Sequence, residues 1–148
     1  MNRREMSELY SVMLLAWPGA PAFKGADRLA PAIELWAAAM GDVPFDLGKR
    51  AMLACVRELR YPPTVAEVRE MAERIAAQDR AEADEAWSRL CTLLDLEHGD
   101  RAAALRRADP GILAAVSAAG GPDKVTYYSF CRAWQAQGAA QLPEKKDK

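Results

Sequence analysis

Every sustained apolar pattern in this chain of 148 residues has the period of a helix, and none has the period of a strand. That restricts the fold to helices packed on helices, because a half-buried strand alternates apolar and polar residues whereas a helix returns to one face every three or four. The cleanest stripe is Leu29, Ile33, Trp36, Ala37 and Met40, with Pro31 in the first turn, where its missing N–H is harmless. Before it, Met6, Leu9, Met13 and Ala16 share a face until Trp17-Pro18-Gly19 stops the helix, which leaves Trp17 placed to pack as a lid over the end. After it, a helix from Asp46 to Arg60 is expected, with Leu47, Ala51, Cys55 and Leu59 inward. Tyr61-Pro62-Pro63 forbids its continuation. Thr64-Val65-Ala66-Glu67 is a capping box opening a helix whose core face is Val65, Val68, Ala72 and Ile75.

Ala83, Trp87, Leu90 and Leu94 continue a helical stripe. The helix from Thr64 therefore either runs on to Leu96 or restarts in the charged, alanine-rich stretch between Gln78 and Asp84. Glu70 with Arg74 and Glu85 with Arg89 are spaced to pair on its wet face. Gly99-Asp100 breaks the run, and a short helix follows from Ala102 to Arg107. Asp109-Pro110 reads as an N-cap with proline at the first helical position, and Ile112, Val116 and Ala119 face inward behind it. Gly120-Gly121-Pro122 is a turn, and a last helix is expected from Lys124 to Gln137 with Tyr127, Phe130, Cys131 and Trp134 on its apolar face. The expected fold is all-α, a small bundle of about six to seven helices, either as one body or as two lobes joined by a long central helix. The lobes would span residues 1–78 and 79–138, with 139–148 as a disordered tail.

Composition sets the class of activity. Just over half the residues, 51%, are hydrophobic, enough for a core, and many are alanine, the best helix former. A net charge of −1 gives no broad attraction to nucleic acid or to membrane surfaces. No stretch approaches the roughly 18 apolar residues of a membrane span. The first twenty-one residues place basic before apolar residues as a secretion signal does, but Glu5, Glu8 and the helical phasing argue against one. Cys55, Cys91 and Cys131 are odd in number, far apart and set in apolar patterns, which points to core packing in a reducing, cytoplasmic compartment. The single histidine, His98, cannot anchor a zinc site.

No catalytic constellation stands out. Gly120 to Thr126 imitates a phosphate-binding loop but has the wrong spacing, an interrupting proline and no strand before it. The acids fall on solvent faces beside basic partners, whereas a general acid or base needs a buried, perturbed carboxylate. No enzyme activity, cofactor or metal is expected. Two places could imitate a helix-turn-helix: the Tyr61-Pro62-Pro63 turn with the helix after it, and the Gly120-Gly121-Pro122 turn with the last helix. The first recognition helix would set Glu67, Glu70 and Glu73 against Arg69 and Arg74, and the second offers Lys124, Arg132 and two glutamines. Both are poor readers of DNA, so direct DNA binding would need a basic face that the linear sequence hides. Trp36 and Trp87 read as core. Tyr127, Tyr128, Phe130, Arg132 and Trp134 combine aromatic rings with an arginine, as interaction hot spots do, and are the candidate partner-binding residues. The same stripe would equally serve to dock the helix on its own domain.

The order of features in the first half adds a family. A helix ends in Trp17-Pro18, and a second is centred on Ile33-Glu34-Leu35-Trp36. Gly41 to Asp46 connects it to an alanine-bearing helix, and Tyr61-Pro62-Pro63-Thr64-Val65-Ala66-Glu67-Val68 opens the next. Over about residues 5 to 76 this resembles the phage replicative-helicase loader family, the loader-and-inhibitor proteins of bacteriophage helicases. Glu85-Ala86-Trp87, Leu105 to Gly121 and the run from Tyr128 to Trp134 look similar to replication-associated phage proteins of the same group.

The resemblance implies a small helical protein without an ATPase domain. Such a protein binds a hexameric helicase of the DnaB type, holds it inactive and delivers it to DNA, with a phage initiator as a further partner, in the cytoplasm of the bacterial host. It supplies no catalytic residue. In the family the C-terminal part is often flexible, whereas residues 84 to 137 here are patterned to fold. Two other readings compete: a DNA-binding replication or packaging accessory factor, and a phage assembly chaperone.

Overall fold

The computed structural model describes residues 1–23, 25, 28–96 and 100–140. His98, Gly99 and residues 141–148 of the expected tail lie outside the described residues. Seven α-helices are present among the described residues, with one 3-10 turn at Pro21–Phe23 and no strand. They are α1 (Arg3–Ala16), α2 (Leu29–Ala39), α3 (Phe45–Glu58), α4 (Val65–Leu96), α5 (Arg101–Arg107), α6 (Pro110–Ala118) and α7 (Tyr127–Ala140). The fold is all-α, and α4 is one helix of 32 residues through the stretch where the sequence allowed a restart. The chain divides into two compact units, with the boundary between Ala76 and Ala77 inside α4.

In the first unit α1 packs on α2 and α3. Asn2 caps α1 reciprocally with Glu5, at 2.8 and 3.0 Å, which satisfies two otherwise unpaired N–H groups. The helix buries Met6, Leu9, Tyr10 and Met13. They meet Ala51, Met52 and Cys55 of α3, Val68, Met71 and Ala72 of α4, and Met40 beyond the end of α2. Five methionines in one core give it unbranched, adaptable side chains where the helices cross. Ile33, Trp36 and Ala37 of α2 are half-buried against this core, and Trp17 and Phe23 pack against it from the connecting loop. Tyr10 sits edge-on to Phe23 and Trp36, at 5.7 and 6.3 Å.

The capping box at Thr64 forms as its spacing requires: Glu67 accepts from the Thr64 N–H at 2.7 Å, and the Glu67 N–H donates to Thr64 Oγ1 at 3.3 Å. Arg69, in the second turn of α4, clamps the connection that leaves α2. It donates to both Asp42 carboxylate oxygens at 2.7 Å and to the Ala39 carbonyl at 2.8 Å. The Arg69 hydrogen bonds, with a backbone one, hold the Asp42 carboxyl down at about 2. The expected pairing along α4 is replaced by pairing between helices. Arg74 donates to both Glu58 oxygens of α3, at 2.7 and 2.8 Å, rather than to Glu70. Arg89 faces Asp109 at 3.8 Å rather than Glu85. Both switches follow from packing, which brings an acid from another helix to an arginine that could otherwise be served locally.

In the second unit Ala83, Ala86 and Leu90 of α4, Ala104 of α5, Ile112, Ala115 and Val116 of α6, and Phe130 of α7 are buried. The alanines let backbones approach closely, and α6 and α7 pack on each other. Asp100 and Asp109 cap α5 and α6, accepting from the Ala103 and Ile112 N–H groups at 3.0 and 2.9 Å. Gly120 and Gly121 close α6 with φ of 102° and 90°, a region that favours glycine, and the Gly121 N–H returns to the Val116 carbonyl at 3.0 Å.

Candidate functional site

Where α7 begins decides which of its aromatics reach solvent. The expected start at Lys124 is displaced to Tyr127, because Thr126 is a better N-cap: its Oγ1 accepts from the Ser129 N–H at 3.3 Å, and Ser129 Oγ accepts from the Thr126 N–H at 2.9 Å. Lys124 and Val125 stay in the turn, both bonded to the Gly121 carbonyl. At the other end α7 runs to Ala140, two residues into the segment expected as tail.

With that start, Phe130 turns inward and is fully buried. It lies 5.3 Å from the Trp87 ring and stacks on Trp134 at 5.9 Å. Trp134 is half-buried and lies over α6, where Gly111 leaves room for it: a Cβ at Gly111 would stand 3.2 Å from the indole. Tyr127 is 41% exposed, makes an edge contact with Trp87 at 5.9 Å, and donates its hydroxyl proton to Asp84 of α4 at 2.6 Å. That hydrogen bond, then burial, pushes the Tyr127 phenol up to about 12. Tyr128 is 83% exposed, with its ring edge-on to Tyr127 at 5.4 Å. Arg132, one turn further on the same outward side, is exposed too, and so is Gln135.

The five residues singled out from sequence thus divide by depth. Phe130 and Trp134 hold α7 to its unit, and Tyr128 and Arg132 form an outward face with Tyr127 at its border. Asp84 carried no sequence signal for its role. It reads as one more acid on the wet side of an alanine-rich helix, and lies 43 residues from the tyrosine it fixes. Beside the aromatics, Trp87, Leu90, Leu94, Leu105, Val116 and Val125 line an apolar cleft of about 140 Å³. Arg101 at its edge is engaged with the Pro122 carbonyl at 2.8 Å. The cleft is smaller than the ~300–1,000 Å³ of small-molecule pockets, and its size suits a single side chain.

The three cysteines are free. Cys55 is buried in the core of the first unit, where desolvation pushes its thiol up, and Cys91 and Cys131 are half-buried. No group of three potential metal ligands occurs among the described residues. No helix among them is long and apolar enough to cross a membrane.

Residues 1–69 match the family model for the N-terminal domain of a phage helicase loader and inhibitor protein. This stretch resembles that loader domain. It takes in α1, α2, α3 and the first turn of α4, and ends at Arg69, the residue clamped to Asp42. The likeness to phage helicase loaders read from Trp17-Pro18, Trp36 and the Tyr61-to-Val68 element holds there. The aromatic face of α7 lies beyond the matched residues. No curated protein and no solved structure matches the chain.

Proposed function

We propose that the chain is a non-enzymatic adaptor of phage DNA replication. It binds the hexameric replicative helicase of the DnaB type, holds it inactive, and loads it onto DNA in the cytoplasm of the bacterial host, with a phage initiator as second partner. The observation that carries this reading is the match of residues 1–69 to the N-terminal domain of a helicase loader. We assign the loader-type role to the lobe of residues 1–78 and the helicase contact to the lobe of residues 79–138, through Tyr128, Arg132 and the border residue Tyr127. Phe130 and Trp134 act there by keeping α7 in register. An exposed tyrosine beside an arginine on a helix anchored by two rings is a preorganised contact, and few rotamers are lost on binding.

No catalytic group, cofactor or metal is required. An adaptor holds a helicase inactive by binding that state more tightly than the working one, and several copies on one ring add avidity. A partner that competes for either surface then releases it.

The test is size-exclusion chromatography with light scattering of the chain and the hexameric helicase of its phage or host, with and without ATP. A co-complex of defined stoichiometry is expected, weakened by Tyr128→Ala with Arg132→Ala. If no complex forms under either nucleotide condition, the adaptor reading fails.

A further inference from the structure

The sequence hid one basic face, and α3 carries it. The inward side of α3 is Gly48, Ala51, Met52 and Cys55. At 100° per residue Arg57 projects from the opposite side, and Lys49 beside it. From Phe45 to Arg60 there are four cations, Lys49, Arg50, Arg57 and Arg60, against two acids, Asp46 and Glu58. Glu58 is already held by Arg74 of α4 at 2.7 Å, and Asp46 stands in the first turn, at the far end of the helix from Arg57 and Arg60. In a chain of net charge −1 this positive surface is local.

The turn that follows adds an aromatic ring. Tyr61 is 71% exposed, and the Arg60 guanidinium lies over its ring at 5.8 Å. Pro62 and Pro63 stiffen the chain behind it, and Pro63 is buried, so the ring is held out on a rigid turn instead of being free to fold back. Lys49 and Arg57 are separated by about 12 Å of helix rise, a distance over which an extended strand presents two or three phosphates.

Cations along a line with an exposed ring at one end suit a charged backbone whose bases can stack. α3 has no asparagine or glutamine with which to read base edges. An acidic protein surface would use the cations but has no use for the ring. We infer that this face binds single-stranded nucleic acid without regard to sequence, with Lys49, Arg57 and Arg60 on phosphates and Tyr61 against a base. The inference does not depend on the helicase reading, since its assay contains no helicase.

The experiment is fluorescence anisotropy of the full chain with a fluorescein-labelled oligothymidylate of about 20 nucleotides across a salt series. Expected is binding whose log–log salt slope is roughly −2, from about three phosphate contacts. The triple variant Lys49→Gln, Arg57→Gln, Arg60→Gln should weaken it at least tenfold and flatten the slope. Tyr61→Ala should weaken it about five- to tenfold with the slope unchanged, and Tyr61→Phe should bind as the native chain does. All four residues are exposed, so far-UV circular dichroism should be the same throughout. Absence of binding at about 50 mM salt overturns the inference, as does a triple variant that binds like the native chain. Equal affinity for polyglutamate, with Tyr61→Ala neutral, also overturns it and marks the face as a docking site for acidic protein.

Discussion

Replacing Phe130 by alanine tests the division of α7 into an anchoring side and an outward side. An aromatic side chain buries on the order of 150–250 Å², which at about 25 cal/mol per Å² amounts to ~4–6 kcal/mol. Alanine retains the Cβ, and the Trp87 and Trp134 rings on either side are too large to collapse fully into the space. The expected loss is therefore about 3–5 kcal/mol. A folding unit of about 60 residues has only about 3–9 kcal/mol in total, so the second unit should be largely unfolded or close to it in the variant. Urea unfolding followed by tryptophan fluorescence reads this directly. Trp87 and Trp134 report on the second unit and Trp17 and Trp36 on the first, which should keep its own transition. Tyr128→Ala, at a side chain 83% exposed, is the control and should stay within about 0.5 kcal/mol of the native chain. A Phe130→Ala cost under about 1 kcal/mol would refute the reasoning, because it would mean that this ring meets solvent and that α7 is held by something else.

Gly111→Ala should lower stability by about 1 kcal/mol despite alanine's better helix propensity, because its Cβ would lie 3.2 Å from a Trp134 ring that is stacked on Phe130. Thermal melting checks this, and a stabilised variant would show that the indole is free to shift. Ala81→Pro removes an N–H and sets its ring against the Ala77 carbonyl inside the continuous α4, at about 3 kcal/mol to the local helix. Amides of residues 77–84 should then exchange faster, and unchanged exchange would mean that the helix is already broken there. Asp42 ionises at about 2 in the fold, below its ordinary 3.8, so the Arg69 clamp contributes fully above about pH 4 and is lost as pH falls through about 2. Asp42→Asn should therefore lower stability near neutral pH and flatten its fall between those values in acid unfolding curves. Tyr127 should remain protonated up to about pH 12 in a spectrophotometric titration, and Asp84→Asn should bring it back toward 10.

The helical architecture was legible because its signals are local. The apolar stripes of α1 to α4, the Tyr61-Pro62-Pro63 stop, the Thr64–Glu67 box and the Asp109-Pro110 start depend on residues within about one turn of each other. What local rules missed came from residues far apart in the chain. Glu58 reaches Arg74 at 2.7 Å across a sequence separation of 16, and no local rule ranks it above Glu70, which is four residues away. The start of α7 was misplaced for a different reason. Lys124 and Val125 fit the apolar period, but a threonine and a serine three residues apart satisfy the free N–H groups, and hydrogen bonding outweighed periodicity. Met52 lay outside the stripe drawn on α3 yet is fully buried, because α3 is covered from more than one side.

The candidate surfaces were harder to read for a related reason. An aromatic residue on a helix satisfies the same pattern whether it faces a core or a partner, and only the rotation of the helix in its unit tells the two apart. Phe130 and Tyr128 differ by two positions, about 200° around α7, and that rotation separates a ring with no exposure from one at 83%. Folding explains Phe130 completely, since it joins two tryptophans and closes the core. Folding does not explain Tyr128 or Tyr61, whose rings leave most of their surface in water where a charged residue would favour solubility more. Each stands near an exposed arginine, Arg132 one turn from Tyr128 and Arg60 over Tyr61. Large exposed rings accompanied by exposed guanidinium groups, one such pair on each unit, are features that a binding partner accounts for and a core does not.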